Sequence, residues 1–403
     1  MQLLTFLGTG RYQPTRYHWQ DQEKETAYVA EALCEFFQPQ EVKVFVTQEA
    51  KEAHWNLLEK QISPKTKVSD ILIPSGKSQS EIWQIFDAVV SAVEPESQVL
   101  FDITHAFRSI PLLVLLASAF LQKARQVQIK GVYYGAFEVN REHPPIFDLT
   151  PAIKLLDWLT ATDKFISTGS SLDLGNLLSS IQQDFYTQSS VINAEIKPVT
   201  LKKIGDRISI ISRSIELIRP MDLMEETAKL DNIAIKKLEE EIGIFAKPFE
   251  LILEQIQSDY RQFALPNSRN ADPKTVLQQK FLLLRWYVAK ELGTQAILLA
   301  REWIISAICV TQNLPFLDKD TRENITDKLG KCIGENPQFD LSINEDIEQV
   351  KRLAGAWSKL VNYRNDVAHT QMRATKISGS TLQKYVKEEL LNEIVDLFPQ
   401  YTV

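Results

Sequence analysis

Between Pro151 and Val403 the chain has one histidine, His369, and it stands in the run Tyr363-Arg364-Asn365-Asp366-Val367-Ala368-His369. An imidazole can move protons near neutral pH, and the guanidinium of Arg364 adds a permanent cation nearby. Cleavage of RNA by its own 2′-hydroxyl needs those two things: proton transfer, and stabilisation of charge on a pentavalent phosphorane. Arg364, Asn365 and His369 are therefore the candidate catalytic residues. A lone histidine is more often structural; the neighbouring Arg364 and Asn365 favour the chemical reading. Turning about 100° per residue, a helix sets positions Arg364 and His369 roughly 140° apart, so the two do not share one face. Either the helix breaks at Asn365 or the long Arg364 side chain reaches around. A two-fold dimer would bring two such pairs into one composite cleft.

A second set of candidates lies in loops that follow strands. Gly8, Thr9, Gly10 and Arg11 come after the first predicted strand, but position 13, where a dinucleotide fingerprint has its third glycine, is Gln13. Ser75, Gly76 and Lys77 have the donor-rich composition of a phosphate nest without Walker spacing. The third loop opens at Asp102 and offers Thr104, His105, Ala106, Phe107 and Arg108 as ligand-binding candidates ahead of an apolar helix. Free N–H groups at a helix start favour an anion there. The competing explanation is that Asp102 and Thr104 merely cap that helix. There is no GxSxG elbow for a hydrolase triad and no histidine–carboxylate cluster at metal spacing. Binding, rather than redox or metal chemistry, is the expectation for these loops.

The elements that must position these loops alternate in type. Strands are expected over Gln2 to Gly8, Glu41 to Thr47, Ser69 to Ser75, Gln98 to Thr104 and Gln128 to Phe137, with a last one at Ile146 to Pro151. Helices are expected over Glu23 to Phe37, Lys51 to Gln61, Ser80 to Val93 and Ser109 to Ala124. Strands apolar on both faces, separated by helices, predict a Rossmann-like α/β domain with a doubly wound parallel sheet over residues 1–150. Ligands of such sheets bind beyond the carboxyl ends of the strands, where the three loops lie.

Residues 151–403 read as all-α, with helices at Leu201 to Ile218, Met221 to Glu241, Phe249 to Gln262, Thr275 to Leu292, Gln295 to Val310, Asn344 to Tyr363 and Leu382 to Leu397. The Ser- and Gly-containing stretch from Ser167 to Asn176 reads as a hinge.

Composition narrows the class. With 403 residues, two or three domains are expected. Lys plus Arg number 45 against 52 Asp plus Glu, so 45 − 52 gives −7, and any RNA contact needs a local basic groove. Cys34, Cys309 and Cys332 form no CxxC pair, which fits a reducing cytoplasm. The apolar run Ile110 to Phe120 is too short to cross a bilayer, and the start of the chain lacks a basic n-region, so neither membrane insertion nor export is expected.

Two motifs resemble a known family. RNDVAH resembles the R-x4-6-H signature of HEPN ribonucleases, and FLGTGRY with FDITHAFRSIP resembles the ligand domain of CRISPR-associated CARF–HEPN proteins, particularly the DxTHG-motif subfamily of type III systems. Asp102, Thr104 and His105 match that motif, whereas Ala106 replaces its glycine. The resemblance implies a CARF domain that binds a cyclic oligoadenylate, cyclic tetra-adenylate being favoured, at the two-fold axis of a homodimer. It also implies a metal-independent HEPN endoribonuclease that cuts single-stranded RNA to 2′,3′-cyclic phosphate ends in antiviral defence. A higher assembly of dimers is compatible with it. Two alternatives stay open: a CARF-type regulator that cuts nothing, and a ring nuclease that degrades the messenger.

Overall fold

The computed structural model describes residues 1–105, 110–187, 195–230, 235–333, 347–372, 374 and 377–402. The chain divides into two compact units, Met1–Asp157 and Trp158–Val403.

In the first unit six strands form a sheet in the order β5-β4-β1-β6-β7-β8. They are β1 (Gln2–Leu7), β4 (Glu41–Val46), β5 (Lys67–Leu72), β6 (Gln98–Asp102), β7 (Gln128–Gly135) and β8 (Ile146–Asp148), while β2 (Thr15–Trp19) and β3 (Gln22–Thr26) pair separately. Along β1 the side chains alternate as the pleat requires. Leu3 and Leu7 enter a core with Leu33, Val44 and Trp55, and Leu4 and Phe6 enter another with Phe45, Val99, Val114 and Leu121. Both faces are thus covered by helices, which is what strands apolar throughout demand.

β1, β4, β5, β6 and β7 are mutually parallel. β8 differs from the expected parallel run and lies antiparallel to β7. Only ten residues separate Gly135 from Ile146, too few for a crossover helix. The helix expected from Glu23 begins at Val29 instead. Gln22–Thr26 is taken up by antiparallel pairing with Thr15–Trp19 across a tight turn at Gln20, whose φ is 53°.

The second unit is helical around one continuous core that includes Phe165, Tyr260, Tyr287, Trp303, Trp357 and Phe398. The region expected as one helix over Met221 to Glu241 contains two, Pro220–Ala228 and Ile235–Phe245. The stretch expected as a hinge is a pinned turn. Gly169 adopts φ 74° against Trp286, and the buried Tyr260 hydroxyl lies 2.9 Å from both Gly169 O and Ser171 Oγ. By length and composition the 19-residue Gly293–Thr311 helix could cross a bilayer. Its Trp303, Ile304, Ile308 and Cys309 are buried among the other helices, so it serves as the core helix of this unit.

One core residue carries a stability prediction. Lys280 is buried with its ammonium 5.5 Å from the centre of the Phe316 ring. Burial above all, with repulsion from Arg322, lowers its pKa from 10.5 to about 8, and Glu302 opposes the shift. Between about pH 8 and 10.5 the unfolded chain therefore holds more protons than the folded one, and stability rises with pH across that window. At pH 7 the buried charge costs on the order of 3 kcal/mol. Lys280→Met is expected to raise the unfolding midpoint at pH 7 and to flatten the rise above pH 8. Denaturant unfolding of both proteins at pH 7 and 9.5 checks it; equal slopes with pH would refute it.

Candidate functional site

The carboxyl ends of β1, β5 and β6 lie on one edge of the sheet because those strands run parallel. At β1 the chain turns through Gly8, where an added Cβ would come within 3.0 Å of the His105 carbonyl oxygen. A larger residue there would have to push the two loops a few tenths of an ångström apart. The Tyr12 hydroxyl accepts from Gly8 N at 2.9 Å and donates to Gly8 O at 3.0 Å, so the Gly8 amide is already engaged. Thr9, Gly10 and Arg11 are exposed beyond it, and nothing lies within 4 Å of where a Gly10 Cβ would be. Packing gives no reason for that glycine.

Asp102 is fully buried at the end of β6. It accepts from Thr5 Oγ1 at 2.6 Å, Thr104 N at 2.9 Å and Thr104 Oγ1 at 2.6 Å, while Thr104 Oγ1 accepts from Gly135 N at 2.8 Å. The pair therefore staples β6 to β1 and β7, and the Thr104 hydroxyl is spent on that staple. Beside it, His105 is half-buried, and its Nε2 is shielded from solvent with no hydrogen-bond partner among the described residues. Burial pushes the His105 pKa down, and the nearby Asp102 charge only partly opposes this. The shift favours the neutral imidazole, which can offer an N–H to a ligand but no fixed charge.

The His105 ring rests 4.3 Å from Tyr12, which also packs on His54 at 4.6 Å and Tyr28 at 5.2 Å between ring centres. The sequence did not single out Tyr12, Tyr28 or His54, whose rings pack together beside His105. His54 follows β4 and reaches the edge only through the fold, although FLGTGRY already placed Tyr12 beside the glycines. At the end of β5, Ser75 and Gly76 are half-buried, Gly76 with φ 72°, and Lys77 is exposed. Ser78 caps the following helix, and Glu81 reaches back to Lys77 N at 2.9 Å. The Glu81 bond consumes the Lys77 amide and leaves its side chain at the surface. Ala106, Phe107 and Arg108 lie outside the described residues.

In the second unit the helix expected to end at Tyr363 runs over Ile347–Ala368. It does not break at Asn365. Arg364 and Asn365 are half-buried on its last turns, and His369 is the exposed residue just beyond. Arg364 Nη1 donates to Asn365 Oδ1 at 3.1 Å, which holds the guanidinium against Asn365, and the main-chain His369 N donates to Asn365 O at 3.0 Å, which continues the helical turn to His369. Thr370 and Gln371 then take left-handed φ values of 51° and 64°, turning the chain away.

Behind the pair, Tyr363 stacks on Tyr385 at 4.5 Å and Lys359 bonds Glu389 and Glu393, fixing the helix against Gly379–Leu397. Among the described residues, no group of three or more His, Cys, Asp or Glu could hold a metal ion.

Three domain families match the chain in succession. Residues 2–138 match the CARF domain of the CRISPR system endoribonuclease Csx1, and residues 154–269 match the second domain of the CRISPR-associated protein MJ1674. Residues 289–403 match the MAE_28990-like HEPN family. A curated relative, the CRISPR-associated protein MJ1674 of Methanocaldococcus jannaschii, is 25% identical over 311 residues, which is 75% of this chain. The match spans 42% of that relative, less than half its length. Among solved structures, Enterococcus italicus Csm6 bound to cyclic hexa-2′-fluoro-hexa-dAMP aligns with a TM-score of 0.43 and 9% identity, over 99% of this chain and 94% of that one.

Proposed function

We propose that this chain, a CRISPR-associated protein with a CARF domain followed by a HEPN domain, is a metal-independent endoribonuclease switched on by a cyclic oligoadenylate. The observation that carries the reading is the Arg364–Asn365–His369 constellation gathered on one helix end within the HEPN segment. His369 moves the proton of the 2′-hydroxyl or of the leaving oxygen, and Arg364 stabilises charge on the phosphorane. Asn365 holds the guanidinium in place. The products are a 2′,3′-cyclic phosphate and a 5′-hydroxyl end. Single-stranded RNA is the substrate, because in-line attack needs a splayed backbone.

The activator is cyclic tetra-adenylate, bound on the sheet edge by Gly10, Arg11, Lys77 and the His105 N–H, with Arg108 as a further cation. A symmetric ring calls for two copies around a two-fold axis, and a homodimer would also bring two catalytic pairs together. Self-association is supported by an exposed apolar stripe on the Ile110–Arg125 helix, where Leu112, Leu116 and Phe120 stand one turn apart with Phe86 against Phe120. Such a protein acts in the cytoplasm, where a type III CRISPR complex makes the messenger.

An RNA-cleavage assay with cyclic tri-, tetra- and hexa-adenylate, each with and without EDTA, tests the reading. Cleavage is expected with the tetra-adenylate ring and unchanged by EDTA, since the proton carrier and the cation are both side chains. Activity that vanishes with EDTA and returns with Mg²⁺ would overturn metal independence. No cleavage with any ring would overturn the enzyme reading.

A further inference from the structure

Asp366 lies inside the proposed catalytic segment, and nothing so far gives it a task. Its side chain is buried, with 3% of the residue exposed, and its Oδ1 is out of solvent without a hydrogen-bond partner among the described residues. A buried acceptor left unmatched is costly, and native proteins keep few of them. The position aggravates the cost. Asp366 is in the last turn of the Ile347–Ala368 helix, where the unpaired carbonyls already disfavour negative charge.

The two cations in the last three turns of that helix are engaged elsewhere, Arg364 on Asn365 and Lys359 on Glu389 and Glu393. Residues three apart on a helix are neighbours, with roughly 5–6 Å between their Cβ atoms, whereas residues two apart face away from each other. His369 stands three after Asp366; Arg364 stands two before it. The main chain reinforces the juxtaposition, because Gln371 N donates to Asp366 O at 3.0 Å and Met372 N donates to His369 O at 2.9 Å, folding the left-handed turn over this helix end.

We infer that Asp366 is a positioning residue, whose unmatched Oδ1 accepts the Nδ1–H of His369 in the working enzyme. The inference rests on the ribonuclease reading for its purpose; the two side chains are not bonded to each other in the structure described, and the test below reads their contact without RNA. A carboxylate on Nδ1 fixes the tautomer, leaves Nε2 bare toward the 2′-hydroxyl, and stabilises the imidazolium once the proton has moved. Arg364 and Asn365 are then free to serve the phosphate.

The test uses the full chain labelled with ¹⁵N at its five histidines, with the His369 signals identified by their loss in His369→Gln. In the wild type at pH 8 the ring is expected mainly in the Nδ1–H form. Asp366→Ala is expected to shift it to the Nε2–H form and to lower kcat for RNA about 10²-fold, with KM unchanged. Asp366→Asn, which keeps shape and an acceptor oxygen, is expected to fall between the two. If Asp366→Ala does not fold, the same spectrum of Asp366→Asn decides. An unchanged tautomer in a folded variant, or a loss falling on KM instead of kcat, would overturn the inference. Should the wild type cut no RNA, the enzyme reading fails while the spectrum still judges the Asp366–His369 contact.

Discussion

His369→Ala is expected to lower the rate of RNA cleavage at saturating messenger by at least about 10²-fold, the lower range for removing positioned acid–base help. Binding of the cyclic oligoadenylate should persist, because His369 and the sheet-edge loops belong to separate compact units. Folding should be little affected as well. His369 is exposed, so its truncation opens no cavity, and a loss of stability beyond about 0.5 kcal/mol would trace to the Asp366 carboxylate left without its proposed partner. Its capping bonds to Asn365 O and from Met372 N run through the main chain, which alanine keeps.

Arg364→Lys adds a second arm. A guanidinium presents a flat fork that matches two phosphoryl oxygens at once, whereas an ammonium is a point charge. The lysine variant should therefore stay well below wild type although the charge is kept. Single-turnover cleavage, messenger binding and thermal unfolding, measured together on wild type, H369A and R364K, separate the outcomes. Equal loss of cleavage and messenger binding in H369A would point to misfolding, and full activity in H369A would remove His369 from the chemistry.

Much of the scaffold was legible because its signals are local. Strands such as Gln2–Leu7, with Leu3 and Leu7 on one face and Leu4 and Phe6 on the other, are apolar on both faces, and that pattern already implies helices on both sides. The Thr15–Thr26 hairpin was not legible. Its second strand is Gln-Glu-Lys-Glu-Thr, composed largely of good helix formers, and what makes it a strand is pairing with residues on the other side of the turn. The Lys319–Cys332 helix was missed for the opposite reason. It has few apolar positions, and its clearest mark is the Asp318 cap on Thr321 N.

The candidate sites divide in the same way. RNDVAH is readable because Arg364 and His369 are close in the chain, but the continuation of its helix to Ala368 depends on packing such as Tyr363 on Tyr385. Asp102 and Thr104 were legible as chemistry-bearing residues, yet their task is to staple three strands. A carboxylate seen in sequence carries no sign of which partners the fold will bring. His54 illustrates the converse, since only tertiary structure brings it against Tyr12.

Substituting Lys77 by alanine is expected to raise the messenger concentration for half-maximal activation without lowering the maximal rate, and Arg11→Ala should behave alike. Both side chains are exposed in loops that follow the carboxyl ends of the parallel strands β1 and β5. Neither side chain fills a core, so truncation should leave folding intact and the effect should appear in the activation curve. Allosteric coupling of typically 1–3 kcal/mol corresponds to about 5- to 150-fold in affinity, which sets the range for the double variant. Because the contacts are ionic and exposed, the wild-type curve should itself move to higher messenger concentration as salt is raised, and the double variant's should move less. The measurement is cleavage rate against cyclic tetra-adenylate at two ionic strengths. An activation curve that stays in place while the rate at saturating messenger falls would mean that Arg11 and Lys77 serve the RNA, and that the messenger binds elsewhere than on this edge of the sheet.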